Sequence, residues 1–320
     1  MTEIRLDLRD KKILSELEMN ARVSHSFLAK KLQTSKQVIK YRIEKLEKEG
    51  IIQGYNAIVD LTKLGQTIYI IYLKLFRLSS TKEHEWIKQI ESSANVLGVG
   101  KNTGKWDLTI ALRAKNNQEL DSILKEIFAG KGENIKEKLI TSEIESTYFS
   151  TSIIHKGNNK EVTTSSINEN LKIDKKDEKI INSLSDNCQI SLLDLAEKVA
   201  MSPNGVKNKI NNLEKDKIIL GYKTKINYEK LGYLHFRVFL HLDNFSKVLY
   251  NKIISSLRIK GNVESVSRYL GYADVDFRCY SKSLEELYQL ISGLKDAFLN
   301  DIIDVDSMPI FRWEKIRYYS

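Results

Sequence analysis

Cysteine and proline are scarce: 320 residues hold two of each. Cys188 and Cys279 lie far apart, with no C-x-x-C pair and no histidine at ligand spacing, so neither a disulfide framework nor a zinc site is supported. The five histidines are scattered, and His84-Glu85 lacks the second histidine of an H-E-x-x-H motif. Long apolar runs are missing too. The best, TIYIIYLKL at 67–75, has strand length and carries a lysine, far short of the roughly 20 residues needed to cross a bilayer. The beginning, MTEIRLDLRD, is too charged for a secretory signal, so the expected location is the cytoplasm. Phosphate loops are absent as well. In VLGVGKNTGKWD (96–107), Gly98 and Gly104 are six apart rather than five, and Trp106 stands where a Mg²⁺-holding hydroxyl belongs. The dinucleotide pattern fails at Thr103, so no cofactor is called for.

What is present is positive charge and repetition. The formal net charge of +9 and a pI near 9.2 favour a polyanionic partner. LEKEGIIQGY at 46–55 returns as LEKDKIILGY at 213–222, a shift of 167 (213 − 46). The same shift carries Asp7 and Asp10 onto Asp174 and Asp177, Ser35 onto Ser202, Leu64-Gly65 onto Leu231-Gly232, and Gly104 and Asp107 onto Gly271 and Asp274. The chain is two copies of one two-part unit. Between them, residues 151–172 are rich in Asn, Thr and Ser without an apolar period and read as a flexible tether, which would let the copies move independently.

Each copy changes period once. Ile13, Leu14 and Leu17 mark a first helix, Phe27, Leu28 and Leu32 a second, and Ser35 caps a third carrying Ile39, Ile43 and Leu46. Gly50 stops that helix, and IIQGYNAIV reads as a short hairpin, giving a winged helix-turn-helix over 1–60 and again over 173–227. Residues 66–150 and 233–320 alternate strand and helix as β-α-β-β-α-β, the split ferredoxin-like arrangement. The fold class is therefore α+β. Pro309, inside the last strand, predicts an edge position or a bulge.

A third helix aimed by two shorter ones fits the major groove of double-stranded DNA. With Ile39, Ile43 and Leu46 turned inward, Gln37 and Tyr41 point outward with Lys40 beside them, while Lys36 and Arg42 flank the face where phosphates run. In the second copy Asn204, Lys207 and Asn208 take the outward places, Lys209 replaces Arg42, and Pro203 follows cap Ser202. A merely solvated helix face is the alternative. Against it, basic residues gather at the helix front and Glu44, Glu47 and Glu49 at its back, the reverse of what the helix dipole prefers.

LDLRDKKILSEL, NARVSHSFLAKKLQTSKQVIKYRIEKLEKEGIIQGY and LTKLG together resemble the Lrp/AsnC family of transcription regulators, and the following βαββαβ module with its Gly-x-x-Asp turn resembles that family's ligand-sensing RAM domain. The resemblance covers the chain twice, apart from the tether. It implies sensing domains that pair sheet against sheet, further self-association, a nucleoid-associated location, and an amino acid or similar effector held near that turn. The positions carried over are Gly104, Trp106 and Asp107 in copy one and Gly271, Ala273 and Asp274 in copy two. Ala273 departs from the aromatic place that Trp106 keeps, and Lys36 replaces the family's usual proline after the cap. Glycine and aspartate are also ordinary hairpin residues, so a purely architectural turn stays open. Two other functions remain in view. Siroheme decarboxylases resemble the same layout, although LGQTIYIIYLKL and GKWDLTIAL lack their expected histidine and Tyr-Asn features. An architectural protein coating DNA without sequence preference would need only the basic charge.

Overall fold

A computed structural model describes residues 4–155, 160–164, 167, 169–316 and 319, with backbone alone for 312–316. Unit one begins with α1 (Leu8–Glu18), α2 (His25–Lys31) and α3 (Lys36–Lys48), followed by β1 (Ile52–Val59). Its βαββαβ module runs β2 (Thr67–Leu75), α4 (Ser80–Ser92), β3 (Val96–Asn102), β4 (Leu108–Ala114), α5 (Asn117–Ile127) and β5 (Ile135–Phe149). After the short β6 (Glu161–Thr163), unit two repeats the plan. Its reader is α6 (Lys175–Asp186), α7 (Leu192–Val199), α8 (Pro203–Lys215) and β7 (Ile219–Ile226). Its βαββαβ module is β8 (Leu234–Leu242), α9 (Lys247–Lys260), β9 (Val263–Leu270), β10 (Val275–Ser281), α10 (Leu284–Ala297) and β11 (Ile302–Ile316). No helix among the described residues is long and apolar enough to cross a membrane.

The wing departs from the sequence reading. No hairpin forms at IIQGYNAIV; the segment is one continuous strand, and β1 pairs antiparallel with β7 from Ile52↔Ile226 to Val59↔Ile219. Folding nine residues back on themselves would have left short, unpaired edges, whereas the ladder across copies pairs seven residues of β1 at once. It also buries Ile52, Tyr55, Ala57, Ile58 and Val59. Helices of one unit cap the strand of the other: Asn56 Nδ2 donates to the Ser185 carbonyl, and Thr224 Oγ1 donates to the Leu17 carbonyl at 2.8 Å. Both readers consequently share one hydrophobic core, from Ile13 and Ile39 through to Ile180 and Ile210.

The two βαββαβ modules close a ring. Strand order β2-β4-β3-β11-β8-β10-β9-β5, with β5 returning to β2, makes an eight-stranded antiparallel barrel to which β6 is added outside. The two 15-residue strands do the joining. The first half of β5 pairs with β2 of its own unit and its second half with β9 of the other; β11 likewise passes from β8 to β3. Pro309 lies beside the register break where β11 changes neighbours, a place that tolerates its missing N–H. Outside the barrel, α4 and α5 cover one half, and α9 and α10 the other.

The tether is a second departure. In its described part, Ile154 is buried in the readers' core and β6 pairs with β5. Glu169 N and Leu171 N donate to the carbonyls of Thr62 and Lys63. Single apolar residues and backbone hydrogen bonds anchor this stretch, and neither leaves a periodic signal. Residues 156–159, 165, 166 and 168 lie outside the described set.

Candidate nucleic-acid interface

Each reader is built by serine and aspartate caps. Ser35 Oγ accepts from Val38 N and Ser202 Oγ from Gly205 N, starting α3 and α8, with Pro203 in the first helical position. The preceding turns match: Thr34 N donates to the Ala29 carbonyl and Met201 N to that of Ala196, both at 3.0 Å, while Gln33 and Ala200 take left-handed backbone angles. Burial follows the helical period, with Ile39, Ile43 and Leu46 inward on α3 and Val206, Ile210 and Leu213 on α8. Lys36, Gln37, Lys40 and Tyr41 are exposed, as are Asn204, Lys207 and Asn208. Tyr41 leaves 68% of its surface open, a large aromatic side chain on the outward face.

Arg42 and Lys209 do something else. Arg42 Nη1 lies 2.7 Å from both Asp7 Oδ2 and Asp10 Oδ1, and Lys209 Nζ lies 2.8 Å from Asp174 and 2.9 Å from Asp177. The sequence places Arg42 at a phosphate flank with Lys209 as its counterpart; in the structure both tie the reading helix to the start of the first helix. The ties shift the acids: the Lys209 ammonium holds Asp174 at about 2, and the Asp10 backbone N–H together with Arg42 lowers Asp7. A signal for this existed in the sequence. Asp-x-x-Asp recurs at one offset, and in both units the basic partner follows its first aspartate by 35 residues.

At the Gly-x-x-Asp turns the geometry is structural. Asp107 Oδ2 accepts from Leu75 N at 2.7 Å and Oδ1 from Lys74 Nζ at 2.9 Å; Asp274 Oδ2 accepts from Leu242 N at 2.9 Å. Each aspartate thus pins its turn to the end of the module's first strand. Gly104 and Gly271 hold φ of +99° and +128°, and a Cβ on Gly271 would sit 3.1 Å from the Ile140 carbonyl oxygen. Trp106 is 2% exposed and faces the barrel interior beside Tyr72, Phe239 and Met308, where the copy-two Ala273 also lies. The two turns touch: Lys105 Nζ donates to Tyr272 Oη at 2.7 Å. Of Gly104, Trp106, Asp107, Gly271, Ala273 and Asp274, Asp107 alone lines an open cleft of about 350 Å³, with Leu75, Arg77, Lys101 and Phe311.

Sequence reasoning missed the charges inside the barrel. Arg237 Nε and Nη2 contact Asp276 at 2.8 and 2.7 Å, Nη2 also donates to Tyr269 Oη at 2.8 Å, and that hydroxyl donates to Glu143 at 2.9 Å. Burial raises the Glu143 carboxyl against the pull of its hydroxyl partners, Ser146 and Tyr269. The copy-one positions one offset away, Ile70, Asn102 and Thr109, are uncharged.

Comparison with known proteins agrees with this architecture. Residues 6–53 and 173–219 match the winged helix-turn-helix DNA-binding family. An uncharacterised HTH-type transcriptional regulator of Pyrococcus furiosus is 34% identical over 140 residues, 43% of this chain and 90% of that protein. The regulatory protein AsnC of Haemophilus influenzae is 32% identical over 120 residues, 37% of this chain and 79% of its own length. The siroheme decarboxylase NirDL superposes with a TM-score of 0.63 over 98% of this chain and 94% of its own, at 14% identity, a likeness of fold alone. With two DNA-binding matches and such relatives, the chain belongs to the Lrp/AsnC family of transcriptional regulators.

Proposed function

We propose that the chain acts as a sequence-specific regulator that is pseudo-dimeric by itself, each unit contributing one DNA reader. The observation that supports this reading is the β1–β7 ladder, which joins the two winged-helix units through one sheet and one core. Gln37, Lys40 and Tyr41 form one face, with Lys36 at its flank; Asn204, Lys207 and Asn208 form the other. Gln and Asn pair bidentately with adenine, and Lys reaches guanine or phosphate. Arg42 and Lys209 position these helices rather than contact DNA. Selection from a random DNA pool should return two different half-sites at fixed spacing. Recovery of perfect palindromes only would sink the proposal. Affinity for a selected site against random DNA across a salt series separates this reading from a DNA-coating role, which predicts salt dependence without discrimination.

The effector class implied by the family resemblance is an amino acid or similar small molecule, with Asp107 at the 350 Å³ cleft as its nearest turn residue. Gly104, Gly271 and Asp274 shape the turns instead, and Trp106 packs inside the barrel. Each of the eight barrel strands has a neighbour on both sides within the chain, which leaves the outer helices, where Val248, Ile259, Leu284 and Tyr288 are exposed, as a surface for self-association. The decarboxylase reading has overall shape in its favour and little chemistry: His235 is buried, stacked on Tyr280 and beside Glu264. Adding siroheme to the purified protein should leave its spectrum unchanged.

A further inference from the structure

At one end of the β8–β11 ladder, strand pairing gathers three metal-ligating side chains that the sequence keeps apart. His241 stands directly opposite Asp304, and Asp306 follows two residues along on the same face, in line with Phe239 and Met308 inside the barrel. One ligand atom from each lies within 4.8 Å of the other two, and His241 Nε2 is 3.6 Å from Asp306 Oδ2. Zinc–ligand bonds of about 2.0–2.2 Å put neighbouring donor atoms about 3–3.5 Å apart, close to what the imidazole and Asp306 already show. Asp304 is exposed and closes the remainder by turning its side chain. Water can fill the other positions, since His241 keeps 22% and Asp306 42% of its side chain open.

Unit one supplies an independent observation. The shift of 167 (241 − 74) carries Lys74 onto His241, Glu137 onto Asp304 and Leu139 onto Asp306, and the pairing is the same, Lys74 with Glu137 and His241 with Asp304. Lys74 Nζ donates to the Gly104 carbonyl and to Asp107 Oδ1, both at 2.9 Å, so unit one fills this place with a cation of its own. Unit two has exchanged that ammonium for an imidazole and added a carboxylate. Among the described residues, no side-chain donor reaches the Gly271 carbonyl or Asp274 Oδ1, and no lysine or arginine pairs with Asp304 or Asp306. Tyr272 Oη donates to Asp306, and Lys105 Nζ donates to Tyr272 Oη at 2.7 Å, so a residue from each Gly-x-x-Asp turn helps to orient Asp306.

We propose that His241, Asp304 and Asp306 bind a divalent transition-metal cation such as zinc, with water completing its coordination. The imidazole nitrogen favours zinc, nickel or copper over magnesium and calcium, which take oxygen ligands. The metal supplies in unit two the positive charge that Lys74 supplies permanently in unit one. Through Asp306 and Tyr272 it acts on the contact between the two turns, where Lys105 reaches across from unit one. Any effect on DNA rests on the proposed regulator function; binding itself does not.

The test is calorimetric titration of the full chain, stripped of metal with a chelator and without DNA, using zinc chloride and, separately, magnesium chloride. Zinc should bind saturably at one site per chain, and magnesium should not bind under the same conditions. His241→Lys, which gives unit two the ammonium of unit one, should abolish that site while circular dichroism stays unchanged. Should it fail to fold, Asp304→Asn, the loss of one exposed charge, takes its place and should weaken zinc roughly tenfold or more. No saturable zinc binding by the unsubstituted chain, equal binding of magnesium, or unchanged zinc affinity in the folded variant would overturn the proposal. Since no DNA is present, failure here leaves the regulator reading standing, and palindromic selection leaves this one standing.

Discussion

The two units share a skeleton and differ in what fills it. Both fasten the reading helix to an Asp-x-x-Asp pair, but unit one uses a guanidinium and unit two an ammonium. Both point a turn residue into the barrel, Trp106 in one and Ala273 in the other. On their inward strands, unit one presents Ile70, Thr109 and Ala111 where unit two presents Arg237, Asp276 and Arg278. The difference teaches that duplication in one chain frees the copies from identity. Symmetry in a homodimer would double every interior charge; here an apolar half can face a charged one.

The largest test of that division swaps interior residues between units. Arg237→Ile strands a buried Asp276 carboxylate and should cost about 3–5 kcal/mol in urea unfolding, whereas adding Asp276→Thr, the copy-one residue, should recover most of it. A single substitution costing under about 1 kcal/mol would show that the pair does not distinguish the halves. Trp106→Ala, which gives unit one the residue of unit two, should remove about 3 kcal/mol by emptying the barrel centre.

On DNA, Gln37→Ala and Asn208→Ala should each cost about 1–3 kcal/mol, at different half-sites of a selected sequence. Equal losses at both half-sites in footprinting would mean the two faces read alike. The smallest effect is acidic. Folded-state depression of Asp174 to about 2 and of Asp7 in the same direction, from an ordinary 3.8, adds stability that is present above that value and lost as pH falls toward 2. Both aspartates are surface groups, so the change is modest. Asp7→Asn and Asp174→Asn should flatten the acid limb of a melting-temperature profile between pH 4 and 2, about equally if the two cations are interchangeable in this role.

Much of the fold was legible because helices and strands announce themselves by period. Ser35, Ser202 and Pro203 predicted their helix starts, and β5 closes the 66–150 module as its last strand. What escaped was pairing across units. An apolar β-branched run says that a strand will be buried, not by what, so the wing was mistaken for a hairpin. The exposed reading faces followed from helical geometry, but Arg42 and Lys209 did not, since a cation on a helix looks the same whether a phosphate or an aspartate awaits it. Arg237 was hidden by its run, LHFRVFL, which reads as a strand whichever way the arginine points.

The ladder between β1 and β7 also sets a timetable. Ile52 meets Ile226, so the first reader cannot complete its wing until some 170 further residues exist, roughly ten to thirty seconds of synthesis at ordinary rates. Until then its apolar strand has no partner and its edge is open to other chains. Loop closure over such a distance is slow compared with local helix formation, which places ladder formation late in folding. The duplication that frees the readers to differ therefore exposes the nascent first half, and a chain cut after unit one should aggregate rather than bind.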